Sequence, residues 1–219
     1  MTERSVICKG KIMIKEKKKR DRKLKKLNHT DKILQAAEVL FAEKGFYLTT
    51  LEEIARGAHL AKGTIYLHFK NKRDLFISVI EKKLDVLLEK IKNEIQKEDS
   101  PSNKIRKAIE TQLKFLEQNR NFFKILQSLS GEYKREMEKE LAERVIQKNA
   151  RYLEMLRQLI WQAVRRKEIK PLNTRKLAVI LVGMVHSLTI NWISQKERGS
   201  LFEDHNLVWE IFWNGAKAD

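Results

Sequence analysis

The sequence predicts an all-α protein of about nine helices, arranged as a three-helix domain with a helix-turn-helix followed by a larger helical domain. Apolar residues recur at three- and four-residue spacings along most of the chain, which is the pattern of helices with one buried face. Capping residues precede several of these runs. The 219 residues are 42% apolar, which suffices for a core in one or two domains.

The first predicted helix begins near Thr30–Asp31 and stops at Gly45. One stripe of this helix is apolar and consists of Ile33, Leu34, Ala37, Leu40 and Phe41. We expect the stripe to form a small core with three apolar residues that follow it in the chain, Ile54, Ile65 and Phe69.

Two short helices joined by a tight turn come next. Thr50 and Glu53 have the spacing of a capping box, in which each side chain accepts a backbone N–H of the other residue. The helix that they start ends near Gly57–His59, and a second helix runs from Ala61–Lys62 to Phe69. Such a pair is a helix-turn-helix unit, whose second helix can enter a DNA major groove. The second helix carries Lys, Thr, Tyr and His, which can hydrogen-bond phosphates or base edges.

A long helix is predicted over residues 72–96, with Asn71 as its cap. Its apolar residues recur over more than five turns and are Leu75, Phe76, Val79, Ile80, Leu84, Leu87, Leu88, Ile91 and Ile95. The helix begins in the first core and continues into the second domain, so we expect it to couple the two mechanically.

Five further helices follow the break at residues 98–102. Pro101 suits the first turn of the first one, which contains Ile105 and Leu113. A shorter helix contains Phe122, Phe123, Ile125, Leu126 and Leu129 and ends near Gly131. A highly charged helix then extends from Glu132 towards Ile169 and is stopped by Pro171. The last two helices cover residues 174–194 and about 204–216.

The helix over residues 174–194 is apolar almost all round. As a membrane span it is short, and it contains His186 and Asn191, so we expect no membrane crossing but a helix buried on all faces. Small or polar residues recur along it every four positions and permit close helix approach. With the apolar last helix, this row predicts a homodimer interface that includes Gly183, Ser187, Asn191, Val208, Phe212 and Trp213.

The charge is strongly unbalanced, with 46 Lys and Arg against 29 Asp and Glu, a formal net charge of +17. This excess indicates a polyanionic partner, either nucleic acid or an anionic membrane surface. Residues 1–28 contain 12 basic and 3 acidic residues. One interpretation is that these residues are a disordered, solvated tail, or that the start codon was assigned upstream of a true start at Met13. The other is that they form a basic arm, which lies on DNA phosphates or in the minor groove.

Several classes of protein are not expected from this sequence. Cys8 is the only cysteine, which excludes an internal disulfide and a thiolate zinc site and suits the cytoplasm. The five histidines have no metal-ligand spacing, and the N-terminus lacks the apolar run of a signal peptide. Because no nucleophile–base pair or Gly-rich phosphate loop is present, we expect neither an enzyme nor a cofactor. A helical protein that binds RNA or an anionic membrane through its basic tail is the alternative to a DNA-binding regulator.

Three motifs resemble the DNA-binding domain of the TetR family of bacterial regulators. They are Ile54-Ala55-x-x-Ala58, KGTIYLHF at 62–69 and NKRDLF at 71–76, and AEKGF at 42–46 follows the same pattern. Two positions depart from it, since His59 stands where the family usually has Gly and Ala61 where it usually has Ser. Histidine tolerates the left-handed conformation better than most residues, whereas loss of the serine removes an N-cap.

The resemblance implies an N-terminal arm over residues 1–29, a DNA-binding domain over 30–76 and a ligand-binding and dimerisation domain over 77–219. It also implies contacts to double-stranded DNA by Thr50, Lys62, Gly63, Thr64, Tyr66, His68 and Lys72. The expected function is that of a cytoplasmic, homodimeric repressor that binds a palindromic operator and is released by a small effector.

The effector is expected to be mainly apolar, because the second domain has many large apolar and few polar residues. A fatty acyl chain, a lipid-like metabolite and an aromatic drug all fit this description. The predicted contacts are Phe115, Phe122, Tyr152, Trp161, His186 and Thr189. The aromatic residues could equally be ordinary core residues, and His186 could equally be a buried histidine with a protein partner.

Overall fold

The computed structural model describes residues 28–120, 123, 131–194 and 199–217. Within these ranges the regular elements are eight α-helices, besides one isolated bridge between Ile169 and Lys217. The prediction of an all-α protein is confirmed, and the eight described helices are close to the expected nine. The chain divides into two units, one up to Val79 and one from Ile80 onward.

The first unit contains α1 (residues 28–48), α2 (Leu51–Gly57), α3 (Lys62–Tyr66) and the first residues of α4 (Lys72–Ile95). Its core includes an aromatic cluster of Phe41, Phe46 and Phe76, whose ring centroids lie 5.1 to 5.9 Å apart. Two of the three ring pairs are edge-to-face and one is stacked, arrangements that stabilise a core beyond the burial of apolar area. The predicted core residues Ile33, Ile54 and Ile65 are fully buried around it.

α1 does not stop at Gly45 as predicted but remains helical to residue 48. Gly45 has a φ of 78°, a left-handed conformation that glycine adopts at little cost. The buried Thr49 then closes the helix, because its hydroxyl donates to the carbonyl oxygens of Gly45 at 2.7 Å and Leu40 at 3.2 Å. α2 begins two residues later.

The ammonium group of Lys72 joins the start of α4 to the junction between α1 and α2. Its Nζ donates to the carbonyl oxygens of Phe46 at 2.8 Å, Thr49 at 2.9 Å and Tyr47 at 3.2 Å. It also lies 4.6 Å from the centroid of the Phe46 ring, within cation–π distance. Burial lowers the pKa of Lys72, while the three carbonyl groups replace part of the lost hydration. All three N–H bonds of this side chain are therefore used inside the first unit.

The second unit contains the remainder of α4 and four further helices: α5 (Pro101–Gln118), α6 (Gly131–Arg165), α7 (Thr174–Ser194) and α8 (Asp204–Ala216). The predicted start of α5 is confirmed, since the hydroxyl of Ser100 caps the N–H of Asn103 and Pro101 opens the helix. α6 packs against α5 and α7, and α8 packs against α5 and α7. The fully buried residues Ile105, Leu156 and Leu181 lie in this core.

α6 ends at Arg165, before its predicted stop at Pro171. Lys167 has a φ of 60°, and the N–H groups of Lys167 and Glu168 donate to the carbonyl oxygens of Val164 and Ala163 at 3.0 and 2.9 Å. This is a left-handed C-terminal cap in which a lysine replaces the usual glycine. The short helix predicted around Phe122, Ile125, Leu126 and Leu129 and the tail of residues 1–27 lie outside the described residues.

α7 has the predicted bounds, and its own subunit covers only part of its surface. Among the described residues it is the one helix that is long and apolar enough to cross a membrane by length and composition, with a mean hydropathy of 1.7. Only 33% of its most apolar window is buried within the chain, so burial on all faces stays a prediction that requires the expected partner subunit. Val179, Ile180 and Ile190 are 51%, 54% and 42% exposed. This leaves an apolar face of α7 uncovered.

We expect the substitution Lys72→Met to lower the free energy of unfolding of the first unit by about 2 kcal/mol. The methionine keeps most of the apolar stem but removes three charge-assisted hydrogen bonds to carbonyl groups. Urea denaturation measures the change. The control is Lys70→Met, which removes the same charge from an exposed position two residues away and should change the stability by less than about 0.5 kcal/mol. Equal effects of the two substitutions would contradict a stabilising role of Lys72.

Candidate DNA-binding surface

The turn between α2 and α3 has the geometry of a helix-turn-helix. α2 begins with the predicted capping box, in which Thr50 Oγ1 accepts the N–H of Glu53 and the Glu53 carboxylate accepts the N–H of Thr50. After α2 ends, His59 has a φ of 55°, the left-handed conformation expected at the position where the family usually has glycine. The N–H of Leu60 then donates to the carbonyl oxygen of Ala55 at 2.9 Å, which closes the turn.

Glu53 also fixes the position of α2 against α1. Its carboxylate accepts a hydrogen bond from Lys44 Nζ at 2.6 Å in addition to its bonds with Thr50. The lysine contact and the two Thr50 contacts hold the pKa of Glu53 at about 2. The Glu53 carboxylate of the capping box is therefore ionised at neutral pH.

α3 is shorter than predicted and presents an exposed polar surface. The helix covers only Lys62–Tyr66, and no side chain caps its first residue, because Ala61 has no hydrogen-bonding group. Four of the seven predicted DNA-binding residues are exposed (Thr50, Lys62, Gly63 and Tyr66), and Thr64 is half-buried. A Cβ added at Gly63 would have no neighbour within 4 Å, so the backbone of α3 is open to close approach there.

Lys62 is paired with an acidic residue of the preceding helix. Its ammonium group donates to the carboxylate of Glu52, and both side chains are about half exposed. This hydrogen bond raises the pKa of Lys62 and lowers the pKa of Glu52. Lys62 must therefore leave or share this partner in order to bind a phosphate or a base.

Two predicted DNA-binding side chains have roles inside the domain instead. His68 lies beyond the end of α3, half-buried, and its Nδ1 is 2.8 Å from the hydroxyl of Thr30 in α1. Lys72 binds the three carbonyl groups at the junction of α1 and α2. The sequence did not reveal these contacts because each joins residues at least 23 positions apart.

The predicted effector residues do not form one site in the described structure. Phe115 and Thr189 are buried, and the Thr189 hydroxyl donates to the carbonyl oxygen of Val185 at 2.7 Å. Trp161 and His186 are exposed, and Phe122 lies outside the described residues. Trp161 is 48% exposed, so the alternative prediction that it is an ordinary core residue is wrong.

Tyr152 is the one predicted effector residue that lines a described cavity. Its hydroxyl donates to Gln112 Oε1, and burial raises its pKa. The cavity has a volume of about 60 Å³ and lies between α4, α5 and α6. Its lining comprises Leu84, Leu87, Leu88, Gln112, Lys148, Asn149 and Tyr152.

The predicted interface residues also separate into two groups. Gly183, Ser187 and Asn191 are exposed on the same face of α7 as Ile180 and Ile190. Val208 and Phe212 are buried in the core of their own subunit, so the prediction that they contact a partner is wrong. Trp213 is half-buried and stacks on Trp209 with centroids 5.0 Å apart. The exposed apolar residues of α8 are instead Leu207 and Ile211, at 50% and 57%.

Comparisons with known proteins agree with this geometry. The family model for bacterial regulatory proteins of the tetR family matches residues 33–79, and that for the tetracyclin repressor-like C-terminal domain matches residues 98–201. The fatty acid metabolism regulator protein of Bacillus subtilis is 26% identical over 184 residues, which are 84% of this chain and 93% of the relative. The nucleoid occlusion factor SlmA of Vibrio cholerae is 29% identical over 163 residues, 74% of this chain and 82% of SlmA.

A solved structure extends the similarity to three dimensions. The transcriptional regulator FadR from Bacillus subtilis, in a crystal structure with stearoyl-CoA, has a TM-score of 0.72 and 26% sequence identity to this chain. The match covers 84% of this chain and 97% of that chain. Both halves of the sequence and the helix-turn-helix geometry thus lead to one conclusion: the chain belongs to the TetR family of bacterial DNA-binding transcription regulators.

Proposed function

We propose that this protein is a cytoplasmic, homodimeric repressor that binds a palindromic operator and releases it when a long-chain acyl compound binds. The observation that carries the proposal is the exposed surface of α2 and α3 in a chain of the TetR family. The acyl ligand is supported by the similarity over most of the chain to a fatty acid metabolism regulator and to a FadR structure with stearoyl-CoA.

The proposed DNA contacts come from α3 and from the start of α2. Tyr66 is exposed, and its hydroxyl group can donate to a phosphate. Thr50 can do the same once its hydroxyl leaves the Glu53 carboxylate, and Lys62 can reach a phosphate or a base edge once it leaves Glu52. Gly63 allows the helix to approach the groove closely, and the half-buried Thr64 is proposed to contact a base edge or the backbone beside it. Lys72 is no longer included, because its donors are used by carbonyl groups, and His68 contributes at most its second ring nitrogen.

The proposed dimer uses the uncovered apolar face of α7. Val179, Ile180 and Ile190 flank the predicted row of Gly183, Ser187 and Asn191. Glycine at the centre permits close approach of a second copy of the helix, and a two-fold axis would place the same face on both partners. Leu207 and Ile211 of α8 would extend this face, so that two helices from each subunit form a four-helix bundle.

The proposed effector site is the cavity between α4, α5 and α6. Leu84, Leu87 and Leu88 give it an apolar wall, and Gln112 and Tyr152 give it polar groups. At about 60 Å³ the cavity is much smaller than the ~300 Å³ of a typical small ligand pocket. An acyl chain can therefore enter only if α4 moves relative to α5 and α6. Because α4 also supplies core residues of the first unit, such a movement would change the spacing of the two recognition helices.

We expect Glu52→Gln to increase affinity for duplex DNA roughly two- to fivefold, because it releases Lys62 and removes a negative charge from the binding surface. The slope of log affinity against log salt should steepen by ~0.9 if Lys62 gains one phosphate. In a Lys62→Met background the change in slope should disappear and the gain in affinity should shrink to the effect of the lost negative charge, for which Glu43→Gln on α1 is the control. Fluorescence anisotropy over a salt series measures affinity and slope. An unchanged slope together with an unchanged affinity for Glu52→Gln would contradict the proposed role of Lys62.

Ile180→Asp should dissociate the dimer without unfolding the subunit. The side chain is 54% exposed in the single chain, so its replacement leaves the core intact, but it would bury an unpaired charge in the interface. Val39→Asp is the matched control, since Val39 is 51% exposed in the first unit. Sedimentation equilibrium should give a monomer for Ile180→Asp and a dimer for Val39→Asp. A dimeric Ile180→Asp would place the interface elsewhere.

Stearoyl-CoA should weaken operator binding, and by linkage operator DNA must weaken stearoyl-CoA binding by the same factor. Calorimetric titration of the protein with stearoyl-CoA, with and without an operator duplex, measures the second effect. Leu88→Trp, which fills the cavity, should weaken stearoyl-CoA binding while operator affinity is retained. Free CoA controls for binding through the headgroup. Equal stearoyl-CoA affinities with and without operator would show that the acyl compound does not control DNA binding.

A further inference from the structure

Leu67 is the most exposed of the large apolar residues that the structure describes, at 77%. It is the C-cap of α3 and has helical backbone angles, φ −74° and ψ −16°. Its N–H donates to the carbonyl oxygen of Thr64 at 3.2 Å, so its position relative to α3 is fixed. A leucine exposed to this extent buries little apolar area in its own domain and therefore contributes little to the stability of that domain.

Helical spacing places Leu67 at the centre of the outward surface of α3. Ile65 is fully buried and marks the inward side of this helix. At about 100° per residue, Gly63 and Leu67 both lie close to the side opposite Ile65, one turn apart. Lys62 and Tyr66 lie to one side of this line and Thr64 to the other. Because Gly63 has no side chain, Leu67 is the one of these two residues that presents a side chain on the outward side.

The chemistry of the major groove identifies a partner for such a group. Base edges there present hydrogen-bond donors and acceptors, and the C5-methyl group of thymine is the one apolar group among them. The polar neighbours of Leu67 are suited to phosphates and base edges, whereas its own side chain can gain only from apolar contact. On the basis of the proposed entry of α3 into the major groove, we propose that Leu67 reads the methyl group of a thymine in each operator half-site.

Deoxyuridine tests this contact, because it lacks only the methyl group of thymidine. A duplex is first enriched from random sequence by the full-length protein, and each thymine is then replaced singly by deoxyuridine. We expect one thymine in each half-site at which the replacement weakens binding about fourfold, the effect of losing one methyl-sized apolar contact. Anisotropy titrations at a fixed salt concentration measure the affinities.

Leu67→Ala should weaken binding to the thymine duplex by a similar factor and should no longer distinguish thymine from deoxyuridine at that position. Leu48→Ala is the matched control, because Leu48 is 74% exposed in the same unit but lies at the end of α1. This control should retain the full discrimination. Both side chains are exposed, so neither substitution opens a cavity in the core.

Two results would overturn the inference. One is an enriched duplex whose affinity for the wild-type protein is unchanged by every deoxyuridine replacement. The other is a Leu67→Ala variant that still discriminates as the wild type does. If the protein enriches no duplex at all, the proposed function fails together with the inference. If it enriches a duplex but gives either of the two results above, only the inference about Leu67 fails.

Discussion

The placement of the helix-turn-helix depends on the ammonium group of Lys72. The carbonyl groups of Phe46, Tyr47 and Thr49 lie together at the junction between α1 and α2, and a buried carbonyl group that finds no donor is costly. Lys72 supplies all three donors from the first turn of α4. One charge thus links the end of α1, the start of α2 and the start of α4. An ammonium group has three donors and can satisfy three acceptors at once, which is the physical reason for a half-buried cation here.

This use of Lys72 shows why the net charge of +17 is a poor measure of the charge that DNA would meet. Within the first unit Lys44 pairs with Glu53, Lys62 pairs with Glu52, and Lys72 binds carbonyl groups. The first pair holds the capping box in place, so separating it would cost local structure. The second joins α3 to α2, but it is the more exposed pair and takes no part in a cap, so it can exchange at little cost. The cations therefore differ in availability, and Lys62 is the one of the three that can be released.

Local signals in the sequence predicted most of the fold. The capping box of Thr50 and Glu53, the cap at Asn71 and the bounds of α7 each depend on residues close in the chain, and the structure confirms them. The failures depend on distant partners or on unusual backbone. His68 binds Thr30 from 38 residues away, Lys167 ends α6 in a conformation that lysine rarely adopts, and Val208 is covered by its own subunit rather than by a partner. Periodicity shows that a face is apolar but not which surface covers it.

The small cavity beside α4 has a consequence for the proposed regulation. A pocket that must open before it binds reduces the apparent affinity of the effector by the fraction of molecules that are open. The closed form is stabilised by the Tyr152–Gln112 hydrogen bond and by the ion pair of Lys148 with Asp85 on α4. Both interactions join α6 to one of the helices that would have to separate from it. If the closed form is the one that binds the operator, an effector must overcome the free energy of these two contacts in order to release the DNA. A ligand with equal affinity for the closed and open forms could not release the DNA, however tightly it bound.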